Sequence, residues 1–352
     1  MRSFLKPAAG LTCLFALTVT GCSSSSDSSS DAAPRATEKA DTTPSESASP
    51  TSSAAASGTA SGTAYAPYVS VSTAADTDSA GSPTTYNLAF AIASGSSCTP
   101  KWNGTTAIGD AAVKSRIAAL KTSGASVRVS FGGASGKELA ETCTSATALA
   151  KAYGAALDAA GSTQADFDIE GDALTDSTSV ALRSKAIALL QKERTGLKVS
   201  FTLPVMPSGL DSDSLALLES ANDHAVQVST VNIMTMNYGE SYTKDMGDYA
   251  ITSATAAHTQ LKKVFGLSDA GAWQGMALTS MIGVNDVSGE TFSLSDAAQV
   301  RKFAEEKSIA WVSMWSTFRD QQCESGTSDD DAATDCSGVK QTSGAFGEAF
   351  AG

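Results

Sequence analysis

Carboxylates recur at every second position in Asp166-Phe167-Asp168-Ile169-Glu170. Alternate side chains of an extended strand point the same way, so this spacing predicts the three acids on one face and Phe167 with Ile169 on the other. Like charges held close raise one another's proton affinity, which predicts at least one carboxyl still protonated near neutrality. A protonated carboxyl poised at a leaving oxygen is what general acid catalysis requires. Glu170, the longest of the three and the last along the strand, is the expected proton donor. Asp168 and Asp166 lie deeper and are expected to share a proton. A solvated acidic run does not alternate with Phe and Ile. A purely structural stack of buried acids would need cations, and none is evident on this strand.

Such a strand needs a scaffold that presents its end to solvent. Short apolar runs alternate with longer helical stretches from residue 64 onward, the pattern of repeated βα units. Strands are predicted at 68–71, 86–93, 127–131, 165–169, 198–203, 230–236, 276–282 and 309–315. Helices are predicted at 110–123, where Val113, Ile117 and Leu120 form one apolar stripe, and at 145–160, 179–194, 213–225 and 294–307. The first connection shows no helix. Eight strands in about 290 residues predict a closed α/β barrel, (β/α)8, as a single catalytic domain, with catalytic groups on the C-terminal face. The glycine-rich turn of a dinucleotide-binding fold is absent after the first strand.

The rest of the chain constrains where the domain works. Of 352 residues, 42% are apolar, enough for a core, and the formal net charge is −13. That charge argues against nucleic acid or an anionic membrane surface as a partner, since both require clustered Lys and Arg. Arg2 and Lys6 precede an apolar stretch from Ala8 to Val19, a signal peptide over 1–21 that is too short to span a bilayer permanently. Val19-Thr20-Gly21-Cys22 resembles a bacterial lipobox, so Cys22 is expected to carry lipid. The domain is then anchored to the outer face of a bacterial cell membrane, or secreted. Residues 22–63 are Ser, Thr, Ala, Asp and Pro with almost no large apolar side chains, a composition that predicts a disordered tether.

Cys98, Cys143, Cys323 and Cys336 remain for the exported domain, and four cysteines allow three pairings. Cys98 and Cys143 follow adjacent strands, and Cys323 and Cys336 bracket the acidic run Ser328-Asp329-Asp330-Asp331, so those two pairings are expected. No CxxC spacing occurs and the chain has two histidines, so no metal or cofactor is expected. The acidic run lacks an EF-hand pattern. His224 and His258 lie in helical contexts away from strand ends, and Trp273 and Trp311 read as packing residues.

Several of these motifs, in order, resemble glycoside hydrolase family 18, the chitinases and their relatives. Asp166-Phe167-Asp168-Ile169-Glu170 matches that family's DxDxE strand, and Ser130-Phe131-Gly132-Gly133 its SxGG strand one position earlier. Asn232-Ile233-Met234-Thr235-Met236-Asn237-Tyr238 resembles its sixth strand, and Met314-Trp315 its eighth. The resemblance covers about 64–352. It implies hydrolysis of β-1,4-linked N-acetylglucosamine polymers, chitin or its oligosaccharides, by substrate-assisted retaining catalysis. Glu170 would protonate the leaving oxygen while the substrate's own acetamido oxygen attacks the anomeric carbon. Asp168 would hold the acetamido N–H, with Asp166 tuning it. The family often has Tyr-Asp where this chain has Met236-Asn237, and Met cannot donate a hydrogen bond. Tyr238, two residues on, is expected to substitute, and Asn237 to bond a sugar hydroxyl or the acid.

Further substrate contacts are expected at the rim. Trp315, at a strand end, would floor the reacting sugar, and Trp102 would extend the platform. Met236 would either fill the core or touch substrate. Asn285 and Asp286 follow the seventh strand as partners for sugar hydroxyls. Ser130, Gly132 and Gly133 would serve structure, letting backbone and substrate crowd the barrel top. Other functions stay open: an endo-β-N-acetylglucosaminidase acting on N-glycans, or a barrel that binds sugar without cutting it. A monomer is expected.

Overall fold

The computed structural model of the chain describes residues 62–326 and 334–352. Eight strands follow one another around a single sheet. β1 comprises two short halves, Ala64–Tyr65 and Tyr68–Ser70; then come β2 (Thr85–Ser94), β3 (Ser126–Gly132), β4 (Gln164–Asp168), β5 (Lys198–Pro204), β6 (Val228–Met234), β7 (Met276–Met281) and β8 (Trp311–Trp315). Every neighbouring pair is parallel. The split in β1 closes the barrel: its first half pairs with β8, as Ala64 with Trp311, and its second half pairs with β2, as Tyr68 with Asn87. Pro67 sits between the halves, where its missing N–H breaks no ladder bond.

Helices cover the outside between consecutive strands: α1 (Ala111–Leu120), α2 (Ala146–Ala160), α3 (Ser177–Glu193), α4 (Ser212–Asp223), α5 (Met246–Phe265) and α6 (Leu294–Lys307). Their starts follow local chemistry. The Ser145 hydroxyl accepts the Ala148 N–H, Asp176 accepts from Thr178 and Ser179, and Ser293 and Asp296 form a reciprocal capping box. The connection from β1 to β2 has no helix, as its sequence predicts. In its place α7 (Ala345–Ala351) returns after β8, and its Phe350 ring stacks on Tyr65 of β1 at 6.2 Å.

Several elements, α7 among them, go unmarked in the sequence. α5, the longest described helix, buries one regular face made mostly of small residues, among them Ala250, Ser253, Ala254 and Ala257. The hairpin Ser97–Trp102 with Thr106–Ala107 extends β2 antiparallel beyond the barrel.

Parity along the strands sorts inside from outside. Phe131, Phe167 and Phe201, in register on β3, β4 and β5, face outward and pack ring against ring, at 5.3 and 5.7 Å, with Tyr153 of α2 edge-on to the first two. All four are buried, and each contributes roughly 2–3 kcal/mol by leaving water. Ser130, Asp166 and Ser200, in the same registers, face inward. The disulfides are Cys98–Cys143 and Cys323–Cys336, with Cα atoms 4.6 and 5.1 Å apart, as expected. Residues 1–61, which include Cys22, most of the tether and the signal segment, lie outside the described residues, as does the run 328–331. Among the described residues no helix is long and apolar enough to cross a membrane.

Candidate active site

The carboxylate strand stands in the barrel as its alternation predicts, with each acid in a different environment. Asp166 is buried in the middle, and four hydroxyls converge on it. Tyr68 and Ser130 donate to Oδ2 at 2.9 and 2.7 Å; Ser200 and Thr202 donate to Oδ1 at 2.7 and 2.8 Å. Thr202 in turn accepts from the Asn232 amide at 3.0 Å. Below this layer Arg128, inward on β3 and buried, lies 4.0 Å over the Trp311 ring and donates to Asn87 and Gln164. Burial pulls its pKa down while the Asp166 charge pulls it up. The cation missing from the acidic strand is thus supplied by its neighbour.

Asp168, one layer higher, is equally buried, and its Oδ1 has no hydrogen-bond partner. Burial, then the charges of Glu170 and Asp166, hold its carboxyl well above the usual carboxylate range. The expected sharing of a proton between the two aspartates takes a different form. Four hydroxyl donors occupy Asp166, so it acts on Asp168 through charge alone.

Glu170 lies just past the end of β4, at the N-terminus of a short helix, Gly171–Thr175. Its backbone is still extended (φ −134°, ψ 165°), so the strand's alternation carries through to it. Burial first, and the Asp286 charge second, push its carboxyl up to about 7. Its side chain lines a cavity of about 210 Å³ together with Met206, Asp211, Met234, Met236 and Asn237. Met236 and Asn237 therefore share one cavity wall with Glu170.

Gly132 and Gly133 bring the neighbouring loop against this strand. Both have left-handed backbones, φ +99° and +87°. A Cβ at Gly132 would overlap the Asp168 carbonyl, and one at Gly133 would strike the Phe90 ring. The Gly133 N–H donates to the Asp168 carbonyl at 2.9 Å. Ser130 is more than structural filler, because its hydroxyl is one of the four on Asp166.

A second cavity, of about 320 Å³, opens on the other side of the rim between Phe90, Trp315, Phe318 and Asn103. Trp315 ends β8, half-exposed, with its indole stacked on Phe90 at 5.5 Å and edge-on to Tyr68 at 5.8 Å. An aromatic face next to the Tyr68–Asp166 pair suits the C–H face of a sugar ring.

Three expected contacts fall elsewhere. Trp102 is fully buried on the hairpin that extends β2, its indole N–H donating to the Ile108 carbonyl, so it is a core residue and no sugar platform. Tyr238 does not take the place of the family's tyrosine. β6 ends at Met234 and Asn237 turns left-handed (φ +55°), which breaks the alternation. The Tyr238 hydroxyl instead accepts from Ser253 of α5, and its ring packs with Tyr242 and Tyr249. Asn285 is buried, its amide donating to the Met281 and Gly283 carbonyls, so it shapes a turn. Asp286, its neighbour, is exposed at the rim and accepts from the Asn237 amide at 3.1 Å.

The histidines are structural: His258 stacks on Trp273 at 3.9 Å, and His224 caps α4. Among the described residues no group of three or more His, Cys, Asp or Glu is placed to hold a metal ion.

Tyr68, Ser200, Thr202, Arg128 and Phe90 escaped the sequence reading. The polar inward parity of Ser200-Phe201-Thr202 beside a buried acid was a signal for two of them. Tyr68 and Phe90 carried none, because each reaches the acids or Trp315 only through barrel closure.

No family model matches the chain. It is 33% identical over 275 residues, 73% of its length, to the "Probable bifunctional chitinase/lysozyme" of Escherichia coli (strain K12). It is 34% identical over 219 residues, 58% of its length, to "Endochitinase 11" of Metarhizium anisopliae. The chain spans less than half of these relatives, 31% and 42% of their lengths. Among solved structures it is similar to the catalytic domain of a hyperthermophilic chitinase from Pyrococcus furiosus, with a TM-score of 0.72 and 29% identity. That likeness covers 81% of this chain and 93% of that one. The chain thus shares the barrel fold of a chitinase catalytic domain.

Proposed function

We propose that this chain hydrolyses β-1,4-linked N-acetylglucosamine polymers, chitin or chitooligosaccharides, as an endo-acting glycoside hydrolase of family 18 type. One observation carries the reading. Glu170 is held near pKa 7 in an open cavity, directly above a buried Asp168 whose Oδ1 has no partner. A carboxyl at about 7 is poised to give a proton at neutral pH and take one back. An orphaned acceptor buried among acids lacks a donor, and a substrate acetamido N–H supplies one.

The steps follow. Glu170 gives its proton to the glycosidic oxygen as the acetamido carbonyl oxygen attacks the anomeric carbon, forming an oxazolinium ion. Asp168 accepts the N–H and offsets the positive charge, which Asp166 below supports. Water then attacks the same carbon from the vacated side and loses its proton to Glu170, giving retention. Trp315 and Phe90 floor the sugar that carries the acetamido group, and the cavity beside Met236 receives the leaving sugars. Similarity to the named chitinases supports the substrate class.

Hydrolysis of chromogenic N-acetylglucosamine oligomers by residues 62–352, compared with Glu170→Gln, tests this. Turnover should fall by ~10³-fold in the variant with binding kept, since a general acid contributes 10²–10⁴-fold. Binding without turnover by the wild type would sink the enzymatic reading. Lipid on Cys22, and with it a monomeric enzyme tethered outside the cell, belongs to the same proposal. Mass spectrometry of the mature N-terminus checks it.

A further inference from the structure

Among the buried carboxylates that take no part in the steps above, Glu290 lies nearest the site in its contacts. Glu290 is 1% exposed, and it lies on the hairpin that follows β7, Gly283–Val284 paired with Thr291–Phe292. The base of that hairpin is fixed on several sides. The Val284 N–H donates to the Ser337 carbonyl at 2.7 Å, Arg319 donates to the Ile282 and Val284 carbonyls at 2.7 Å each, and Phe292 stacks on Phe350 at 5.9 Å. From this base Glu290 reaches the loop that follows β6. Its Oε1 accepts the Gly239 N–H at 2.8 Å, and the Asn237 and Tyr238 backbones lie near enough to lower its pKa, although Oε2 has no hydrogen-bond partner. Asn237 and Gly239 both have left-handed backbones, φ +55° and +116°, the kind of turn that gathers amides around an anion. Asp286, on the same hairpin, accepts from the Asn237 side chain. One hairpin therefore grips the 237–239 loop twice, once by its backbone and once by its side chain. Asn237 in turn shares with Glu170 the wall of a single cavity.

We propose that Glu290 is a positioning residue: its buried carboxylate fixes the 237–239 turn, and so holds Asn237 and Asp286 in place beside Glu170. The inference rests on the reading of Glu170 as the acid, but it concerns the state of that carboxyl and not the substrate. The groups facing Glu170 are Asp168 below, Asp286 from the hairpin and Asp211 across the cavity. Those facing Glu290 are the Gly239 amide, which donates to it, the nearby Asn237 and Tyr238 backbones, and the Tyr238 phenol. Without Glu290 the turn relaxes and Asp286, no longer held by Asn237, swings toward solvent, which lowers the Glu170 pKa.

The test reads Glu170 directly, by NMR titration of protein labelled with ¹³C at glutamate carboxyls, with Glu170→Gln assigning the signal. Glu290→Ala and Glu290→Gln should both move the Glu170 midpoint down from about 7 toward 4.5. The amide variant keeps an acceptor for Gly239 and should move it less. Asp286→Asn should also move it down, and Glu290→Gln added to Asp286→Asn should add little. Chito-oligomer hydrolysis by the same variants should lose roughly 10-fold in kcat, with the basic limb of the pH profile shifted down in step. A Glu170 midpoint unmoved in Glu290→Gln, or full additivity with Asp286→Asn, overturns the proposal, even if melting temperature falls. A wild type that titrates as described but cuts no oligomer would overturn the substrate reading and leave the role of Glu290 standing.

Discussion

Asp166 and Asp168 are two residues apart on one strand, both buried, yet the barrel treats them oppositely. At the lower layer four hydroxyls from β1, β3 and β5 surround Asp166, with a guanidinium beneath. At the upper layer Asp168 keeps an oxygen with no partner. The fold satisfies one buried carboxylate with four donors and leaves an oxygen of the next unpaired, so the lower layer is structure, while the upper carboxyl is the one the proposed mechanism uses.

Breaking each layer in turn should give opposite results. Asp168→Asn should cost ~10²-fold or more in kcat, while the variant melts no lower than wild type, because a buried carboxyl held far above its usual pKa is already a burden to the fold. Asp166→Ala should cost about 3 kcal/mol of stability in denaturant melts, since four inward hydroxyls and Arg128 lose their acceptor and counter-charge together. If Asp166→Ala melted like wild type and only Asp168→Asn unfolded, the comparison would be the wrong way round.

A pH series sharpens it further. Glu170 has a folded pKa raised to about 7 against an ordinary 4.5. The folded state therefore binds that proton more tightly, and the associated stability is complete below about 4.5 and lost as pH rises through about 7. Glu170→Gln removes that loss, so the variant should match wild type at pH 4 and exceed it at pH 8 by on the order of 2 kcal/mol. Activity of the wild type should decline through the same interval as the acid is deprotonated. The smallest effect belongs to Tyr68→Phe, which removes one of four donors from Asp166. About 1 kcal/mol of stability and a modest loss of rate are expected from a melt and an oligomer assay run side by side.

What could be seen in advance followed parity and order along the chain. The DxDxE alternation placed Phe167 and Ile169 outward and the acids inward, and eight apolar runs with helical spacers set the barrel. Both rest on local rules, the period of two in strands and the right-handed βα crossover. Errors arose where alternation stopped. Counting two residues from Met236 puts Tyr238 on the same face only if the strand continues, but β6 ends at Met234 and Asn237 turns left-handed. Trp102 read as a loop aromatic, yet a hairpin carries it into the core.

By itself, then, the sequence determined the class of fold, the inward acidic strand and the order of the motifs, and it favoured the one of three disulfide pairings that the structure has. These depend on near neighbours and on steric periodicity. Only the tertiary structure decided which acid is satisfied, which is bare and what surrounds Glu170. Those answers come from Tyr68, Ser200, Asn237, Asp286 and Glu290, residues between 30 and 120 positions away, brought together by closing eight strands into a ring. Burial and electrostatics depend on distance in space, and no reading of spacing along the chain contains that distance.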